Sequence, residues 1–396
     1  MIYKLMVWER SNGDHQSVGE MVCDIHESGK LRSAFRYESG YLARPDAFTV
    51  DPLSLPLRTG SFSTEQPGLF GVFEDSLPDD WGRNLLIRKY RIPRHDQHLP
   101  GLLLALGHAG LGVLSFTEHD KPSPPPTEVS TLYLSELVEA VAKFERGETR
   151  DSDITLLLSA GSSPGGARPK AVVWDDGCRE HCLAKFPSIK DQVDVVRIEA
   201  ATMALAEQAG LLVPRIRLVE CAGKAVLLVQ RFDVMPTGRR HMISFQTLLK
   251  ASGYYQQRYQ DLLAVVRKYS RDPHTDSERL FRQMVFNAVV GNTDDHLKNF
   301  LMIYDLQAGW RLSPAFDLIP DVGRRGEHIL FFDLDAYYPG RNNLEQLGLR
   351  WGIRNAVEVV KQVFDAIAGW KAAFNSVGVS DTDMTRFLDI DSRLRS

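Results

Sequence analysis

Cysteine is scarce in this chain: four residues in 396, at Cys23, Cys178, Cys182 and Cys221. That is too few for a disulfide framework at this length, so a reducing cytoplasm is the expectation. No apolar run approaches the roughly 20 residues that a spanning helix needs, and no membrane segment is expected. Excess positive charge is also missing, since the formal net charge is −4 and the pI is near 6.3. Strong intrinsic binding to nucleic acid is not expected of the chain as a whole, while a local basic patch stays open. The opening Met-Ile-Tyr-Lys-Leu-Met-Val-Trp-Glu lacks the basic-then-apolar order of a secretion signal and reads as a first strand. There is no Ser/His/Asp triad signature, no H-E-x-x-H helix and no dinucleotide fingerprint. Cys178-Arg-Glu-His-Cys182 has no second ligand pair at zinc spacing and reads as a turn between two strands.

What is present is an ordinary globular composition, 43% hydrophobic and 25% charged. The length allows two domains, or one large domain with subdomains, and a substantial core. Residues 1–120 read as a β-rich unit. Alternation at Tyr3, Leu5 and Val7, then Val18-Gly-Glu-Met-Val, Phe35-Arg-Tyr and Tyr41-Leu predicts strands separated by turns. Glu74-Asp-Ser-Leu-Pro-Asp-Asp-Trp-Gly-Arg leads into a helix-like run, and Leu102 to Phe116 reads as a helix followed by a strand. A Pro-rich linker is expected over 121–130, around three consecutive prolines. Residues 131–233 begin with a helix that Ser135 is placed to cap, and continue through Leu183-Ala-Lys-Phe, a helix over Ile198 to Leu211, and the buried strand Ala225 to Val229. Residues 234–396 read as helical, most clearly where Leu280, Phe281, Met284, Val285, Ala288 and Val289 share one face. A β-rich lobe with one helix followed by a helical lobe is the two-lobed order of protein kinases.

Chemistry concentrates in residues 291–317: Gly-Asn-Thr-Asp-Asp-His-Leu-Lys-Asn, a hairpin, then Ser-Pro-Ala-Phe-Asp. Phosphoryl transfer needs a carboxylate to orient and deprotonate the attacking hydroxyl, here Asp294. It also needs oxygen ligands that hold Mg²⁺ against the phosphates, here Asn299 and Asp317. The alternative is an acidic loop after a helix. His296 reads as a brace of this loop, and Lys298 either reaches the γ-phosphate or points to solvent. Upstream, Ser159 to Lys170 carries Ser-Pro-Gly-Gly-Ala-Arg-Pro-Lys between two expected strands. Glycines there would let backbone amides approach phosphate oxygens, with Lys170 adding charge; a plain surface loop is the alternative. Lys185 on a strand and Glu199 fourteen residues later on a helix match the kinase lysine–glutamate arrangement, against two solvated charges. Gln230-Arg231-Phe232-Asp233 ends a buried strand where an interlobe hinge belongs, and the backbone of Gln230 and Phe232 could meet an adenine edge.

With these motifs in hand, the chain resembles the HipA family of bacterial serine/threonine-protein kinase toxins over nearly its whole length. Val18-Gly-Glu, Phe35-Arg-Tyr, Ser54-Leu-Pro-Leu, Leu77-Pro-Asp and Gly110-Leu-Gly resemble the family's N-terminal subdomain. Ser-Pro-Gly-Gly-Ala-Arg-Pro-Lys, Leu-Ala-Lys, Gln-Arg-Phe-Asp, Thr-Asp-Asp-His-Leu-Lys-Asn and Ala-Phe-Asp-Leu-Ile-Pro follow in the family's order. The resemblance implies an α+β, two-lobed protein-kinase-like fold with an extra N-terminal subdomain, a β-rich N-terminal lobe and an all-helical C-terminal lobe. It implies Asp294 as catalytic base and Asn299 and Asp317 as Mg²⁺ ligands. Gly165, Gly166, Ala167, Arg168, Pro169, Lys170 and Lys185 would contact the phosphates of ATP. Gln230, Arg231, Phe232, His296, Lys298 and Phe316 would complete the nucleotide site. Ser163, with Ser162 as the alternative, would be autophosphorylated, and a dianionic phosphate there would expel ATP. The hinge has Gln230 where the best-known member has glutamate, and the loop is richer in Gly and Pro. The family further implies a small helix-turn-helix, HipB-like antitoxin through which DNA is bound, and an aminoacyl-tRNA synthetase as substrate. Two other readings stand beside this one: a nucleotide-binding pseudokinase acting as co-repressor, and a lipid or small-molecule kinase with a similar Asp-x-His-x-x-Asn loop.

Overall fold

The computed structural model describes residues 1–119, 129–159, 168–253 and 256–396. The first unit is an antiparallel sheet of β1 (Ile2–Glu9), β2 (Gln16–Ile25), β3 (Leu31–Tyr37), β4 (Phe62–Ser63) and β5 (Leu114–Glu118), in the order β4-β3-β2-β1-β5. The period of two shows plainly in β3, where Ser33, Phe35 and Tyr37 are buried. Gly19 of β2 is required by close approach, because a Cβ there would lie 2.2 Å from the Arg36 carbonyl oxygen. Tyr41 and Leu42 form a helical turn, Ser39–Leu42, instead of the expected strand. That turn lets the Tyr41 hydroxyl donate to the Phe48 carbonyl at 2.9 Å.

A second antiparallel sheet holds β6 (Lys170–Asp175), β7 (Glu180–Lys185), β8 (Ile216–Cys221) and β9 (Lys224–Gln230), ordered β6-β7-β9-β8. Of the expected turn Cys178 to Cys182, Cys178 and Arg179 lie between β6 and β7 while Glu180 to Cys182 already belong to β7, and all four cysteines are free thiols. The segment before β6 is not a strand. It is the helix Asp151–Ser159, so the Gly-rich stretch joins a helix to a strand. Residues 160–167 of that stretch, which include Ser162, Ser163, Gly165, Gly166 and Ala167, lie outside the described residues, as does the Pro-rich 121–127 segment. The helix Leu134–Arg146 contains Ser135 instead of being capped by it; the side chain of Ser130 caps the preceding 3-10 turn.

The third unit is helical but not purely so, which corrects the all-helical expectation. After the short pair β10 (Val234–Met235) and β11 (Gly238–Arg239), it contains the three-stranded sheet β12 (His241–Ser244), β13 (Leu301–Asp305) and β14 (Gly309–Leu312). The β13–β14 hairpin was legible, but β12 pairs with it from far upstream, His241 opposite Tyr304 and Ser244 opposite Leu301. Its central helix, Pro273–Val290, starts with an Asp272 cap and Pro273 in the first turn and stops at Gly291 in a left-handed conformation (φ 75°). That stop delivers the chain into the 291–299 loop. The result is a two-lobed, kinase-like α+β fold with an extra N-terminal unit.

The cores show how the three parts are joined. One continuous apolar cluster runs from Leu5, Phe35, Phe73 and Phe116 of the first unit to Phe245, Phe281 and Phe286 of the helical lobe. A second cluster lines the β6–β9 sheet and includes Trp81 and Leu85 from the helix Asp80–Lys89 of the first unit. The N-terminal unit therefore packs into both lobes. Among the described residues, no helix is long and apolar enough to cross a membrane.

Candidate active site

The cleft between the lobes is lined from four directions. Strands β6 and β7 run antiparallel with Lys170 directly opposite Lys185. Two ammonium groups side by side repel, and buried carboxylates offset them. The Lys185 ammonium bonds both Glu199, from the helix Val195–Gln208, and Asp317. Burial works against the charge on Lys185, but Asp317 and Glu199 outweigh it and raise its pKa above the usual lysine value. At Asp317 burial alone would favour the neutral acid. The ammonium groups of Lys185 and Lys170 outweigh that effect and hold the carboxyl far below the ordinary range. Burial raises the pKa of Glu199, with Lys185 opposing. Lys170 is also buried, and desolvation lowers its pKa while Asp317 opposes the shift. Among the described residues, Asp317 is one of six non-glycine residues with positive φ, at 52°. A left-handed aspartate costs on the order of 1 kcal/mol, which its ion pairs readily offset.

The 291–299 loop meets this cluster from below. Asn299 is buried, and its amide nitrogen donates to the Asp294 carbonyl at 3.0 Å. With the nitrogen so assigned, the amide oxygen is left as the acceptor on the cavity side. Asp294 itself is half-exposed and pairs with Arg325 at 2.9 Å. Its neighbour Asp295 has the opposite environment. It is fully buried and accepts from the Tyr259 hydroxyl (2.6 Å), His328 Nδ1 (3.0 Å) and the amides of Ile329 (2.8 Å) and Leu330 (3.3 Å). Asp295 is thus a tether and Asp294 the carboxylate facing the cleft. His296 occupies the cap position of the turn Leu297–Asn299. Lys298 does not point to solvent: it pairs with Asp79 of the N-terminal unit at 3.3 Å.

Two contiguous cavities fill the cleft. One, of about 130 Å³, is walled by Leu111, Leu183, Val229, Met242, Leu301 and Phe316, with the hinge residues 230–233 at its rim. The other, of about 510 Å³, carries the charged groups of Asp294, Asp317, Arg168, Lys170 and Lys185 with Asn299 and Pro169, on a wall that also includes Val195 and Ile319. Asp79, Lys170, Lys185, His296, Asn299 and Asp317 line both. An apolar slot opening onto a chamber that holds Lys170, Lys185 and Arg168 suits a nucleoside triphosphate, with the base in the slot and the phosphates beside the cations. The chamber also offers an amide oxygen and an ionised carboxylate, the hard oxygen donors that Mg²⁺ takes beside phosphate. A cavity of about 570 Å³ lies elsewhere, around Arg10, His108, Trp174 and Arg239, and shares with the cleft only Arg231.

The predicted hinge residues divide. The Phe232 ring packs on Phe316 at 5.7 Å between centroids. The amide of Gln230 is committed to the Arg215 carbonyl, and the carbonyl of Phe232 accepts from Arg240. A purine edge would therefore have to use the Gln230 carbonyl and the Phe232 amide. Arg231 turns its guanidinium onto Asp233, with bonds of 3.0 and 2.5 Å, and braces the hinge from inside. Sequence reasoning missed Asp295, Arg325, Leu111, Met242 and Leu301. It also gave no role to Asp75 or Asp79, whose segment it read as the approach to a helix and, in Leu77-Pro-Asp, as an N-terminal-subdomain motif.

Comparison with known proteins gives a consistent result. A model of the HipA-like C-terminal domain matches residues 162–370, and one of the HipA N-terminal domain matches residues 15–117. Y4mE of Sinorhizobium fredii, a kinase by name, is 30% identical over 372 residues, covering 82% of each chain. Y4dM of the same organism, also a kinase by name, is 29% identical over 327 residues, covering 78% of this chain and 77% of its own. Among solved structures, HipA of Shewanella oneidensis MR-1, determined with HipB and operator DNA, superposes with a TM-score of 0.70. It covers 98% of this chain and 95% of its own at 18% identity, a likeness of fold.

Proposed function

The chain belongs to the HipA family, and from that premise we propose that it is an ATP- and Mg²⁺-dependent protein serine/threonine kinase. The carrying observation is the convergence of Lys185, Asn299 and Asp317 on both cavities, with Asp294 lining the larger one. Asn299 Oδ1 and Asp317 would hold Mg²⁺, which when bound neutralises phosphate charge as the bond to the leaving oxygen breaks. Lys185 and Lys170 bind phosphate oxygens of ATP, with Arg168 and Pro169 at the chamber wall. Gln230 and Phe232 orient the adenine, with Phe316 beneath it. Asp294 accepts the proton of the attacking serine hydroxyl. That oxygen then bonds the γ-phosphorus as the bond to the β,γ-bridging oxygen breaks, leaving ADP and a phosphoserine. For this Asp294 must exchange Arg325 for the acceptor hydroxyl, a small cost for an exposed pair.

In this reading residues 1–120, 131–233 and 234–396 are the N-terminal subdomain, the rest of the N-terminal lobe with its hinge, and the C-terminal lobe. Gly165, Gly166 and Ala167 cover the phosphates, and phosphorylation of Ser163, or of Ser162, silences the enzyme by charge competition. The enzyme is the toxin of a pair, working in the cytoplasm with a HipB-like helix-turn-helix antitoxin that binds DNA. Its target is a translation enzyme of the aminoacyl-tRNA synthetase class. Incubation with γ-labelled ATP and Mg²⁺ tests the core of this reading. The purified chain should label itself or a co-incubated synthetase, and Asp294→Asn should not. Absence of label in the wild type would favour the pseudokinase, and equal label in the variant would remove Asp294 as base.

A further inference from the structure

We infer that Asp79, a residue of the N-terminal unit, is a positioning residue of the phosphoryl-transfer site and acts through Lys298. This rests on the kinase reading above and extends it to a part of the chain outside both lobes.

The segment 74–81 enters the cleft and is fixed at both ends. Upstream, Val72 and Phe73 sit in the core shared with the helical lobe, and Asp75 accepts from the Ser244 amide (2.8 Å), the Ser244 hydroxyl (2.7 Å) and the Thr247 hydroxyl (2.8 Å). Downstream, Trp81 and Leu85 are anchored in the core of the other lobe. Asp79 stands between these anchors, as the cap residue of the helix Asp80–Lys89. It lines both cavities, so it lies at their junction, where a transferring phosphoryl group would pass. Its carboxylate is 3.3 Å from the Lys298 ammonium, and both side chains are largely shielded from water. Lys298 belongs to the same short loop as Asp294 and Asn299. At the junction two ammonium groups (Lys170 and Lys185) thus face two carboxylates (Asp317 and Asp79), with Lys298 on the wall of the smaller cavity beside Asp79 and Glu199 on that of the larger.

The pair has two opposing consequences. A fixed carboxylate beside the phosphate path repels the triphosphate and weakens its binding. The same carboxylate holds a four-carbon flexible side chain where its charge can meet the phosphoryl group in transfer. Removing the charge should therefore tighten binding and slow chemistry together. Simple damage to the fold does not produce that combination.

The test measures MgATP affinity by calorimetry and single-turnover transfer from γ-labelled ATP. It compares wild type, Asp79→Asn, Lys298→Met and the double variant. Asp79→Asn should bind MgATP roughly three- to tenfold more tightly and transfer about 10- to 100-fold more slowly. The double variant should be no slower than the slower single one, because the two residues act as a unit. Should Asp79→Asn lose its cooperative melt, Asp79→Ser, which removes the same charge from a side chain that makes no capping hydrogen bond, is read in its place. Wild-type transfer with Asp79→Asn equally fast, or with single effects that multiply in the double variant, overturns the inference and leaves the kinase reading intact. No transfer by the wild type overturns the kinase reading instead. Coupling is then judged on MgATP affinity alone, where independent single effects would overturn this inference as well.

Discussion

The adjacent carboxylates Asp294 and Asp295 should respond in opposite ways to the same change, carboxylate to amide. Asp295 accepts four hydrogen bonds in a fully buried site. In Asp295→Asn the amide oxygen can keep the two backbone amides. The new NH₂ must then face the Tyr259 hydroxyl and His328 Nδ1. Both donate to the carboxylate: the Tyr259 oxygen already receives Asn287 Nδ2 at 3.0 Å, and opposite an acceptor-only carboxylate oxygen His328 Nδ1 carries the proton. Burial and the Asp295 charge raise the Tyr259 pKa well above its ordinary value, so the hydroxyl stays protonated. Two hydrogen bonds to a charged acceptor are lost, each worth about 1.5–3 kcal/mol. Allowing for some repacking, Asp295→Asn should cost about 3 kcal/mol of stability. Asp294→Asn breaks only an exposed ion pair and should cost under about 1 kcal/mol.

Activity should divide the other way. Asp294→Asn removes the carboxylate proposed as base and should lower transfer by about 10²–10⁴-fold. Asp295→Asn should lower it less, by loosening the loop that carries Asp294. Urea unfolding followed by circular dichroism and tryptophan fluorescence reads the stability difference. Amide hydrogen exchange at residues 292–299 and 328–330 reads the loosening directly. A stable, inactive Asp295→Asn beside an unstable, active Asp294→Asn would show that the two roles had been assigned to the wrong neighbours.

Three further expectations follow from the same geometry. Burial pushes the Asp75 pKa up from 3.8 to about 6, its hydrogen bonds opposing the shift. Because the folded pKa lies above the unfolded one, the native state binds the extra proton; stability should fall by about 2 kcal/mol as pH rises from 4 to 7, and Asp75→Asn should flatten that dependence in urea titrations. Asp317→Ala should abolish the extra thermal stabilisation that Mg²⁺ adds to that of ATP, and persistence of the Mg²⁺ increment in a thermal-shift assay would exclude Asp317 as a metal ligand. Arg325→Ala should leave the melting temperature unchanged and raise the transfer rate severalfold by freeing Asp294, whereas a large fall in rate would assign Arg325 to substrate binding.

Much of the site was legible because its signals are local. The helix Pro273–Val290 shows its buried face in its own spacing, and its glycine stop announces a loop. Lys185 and Glu199 are fourteen residues apart on adjoining elements, and they do meet. The illegible parts are of two kinds. Where two identical residues sit side by side, as at 294 and 295, only the partners from distant segments separate them, and those partners are 33 to 36 residues away from Asp295. Where a contact joins remote segments, no periodicity reports it. Asp75 and Ser244 are 169 residues apart, and Asp79 and Lys298 are 219 apart. The strand β12 was hidden for the same reason, since its residues gain their pairing only from β13.

Those remote contacts change how the cleft should be viewed. In a two-lobed enzyme the hinge alone sets the angle between lobes. Here the hinge carboxylate Asp233 accepts the amide of Gly112, and the Arg239 amide donates to the Arg10 carbonyl, so the N-terminal unit also grips the connection between lobes. Gly71 packs so closely on the helical lobe that a Cβ would lie 2.5 Å from the Thr247 hydroxyl oxygen. Trp81 meanwhile stacks edge-on with Phe144 of the other lobe at 5.4 Å. A body fastened to both lobes and to the hinge opposes opening as a rigid strut does. The cleft is therefore shaped by three parts of the chain, and the part most remote in sequence from the 291–299 loop contributes a carboxylate, Asp79, to its centre.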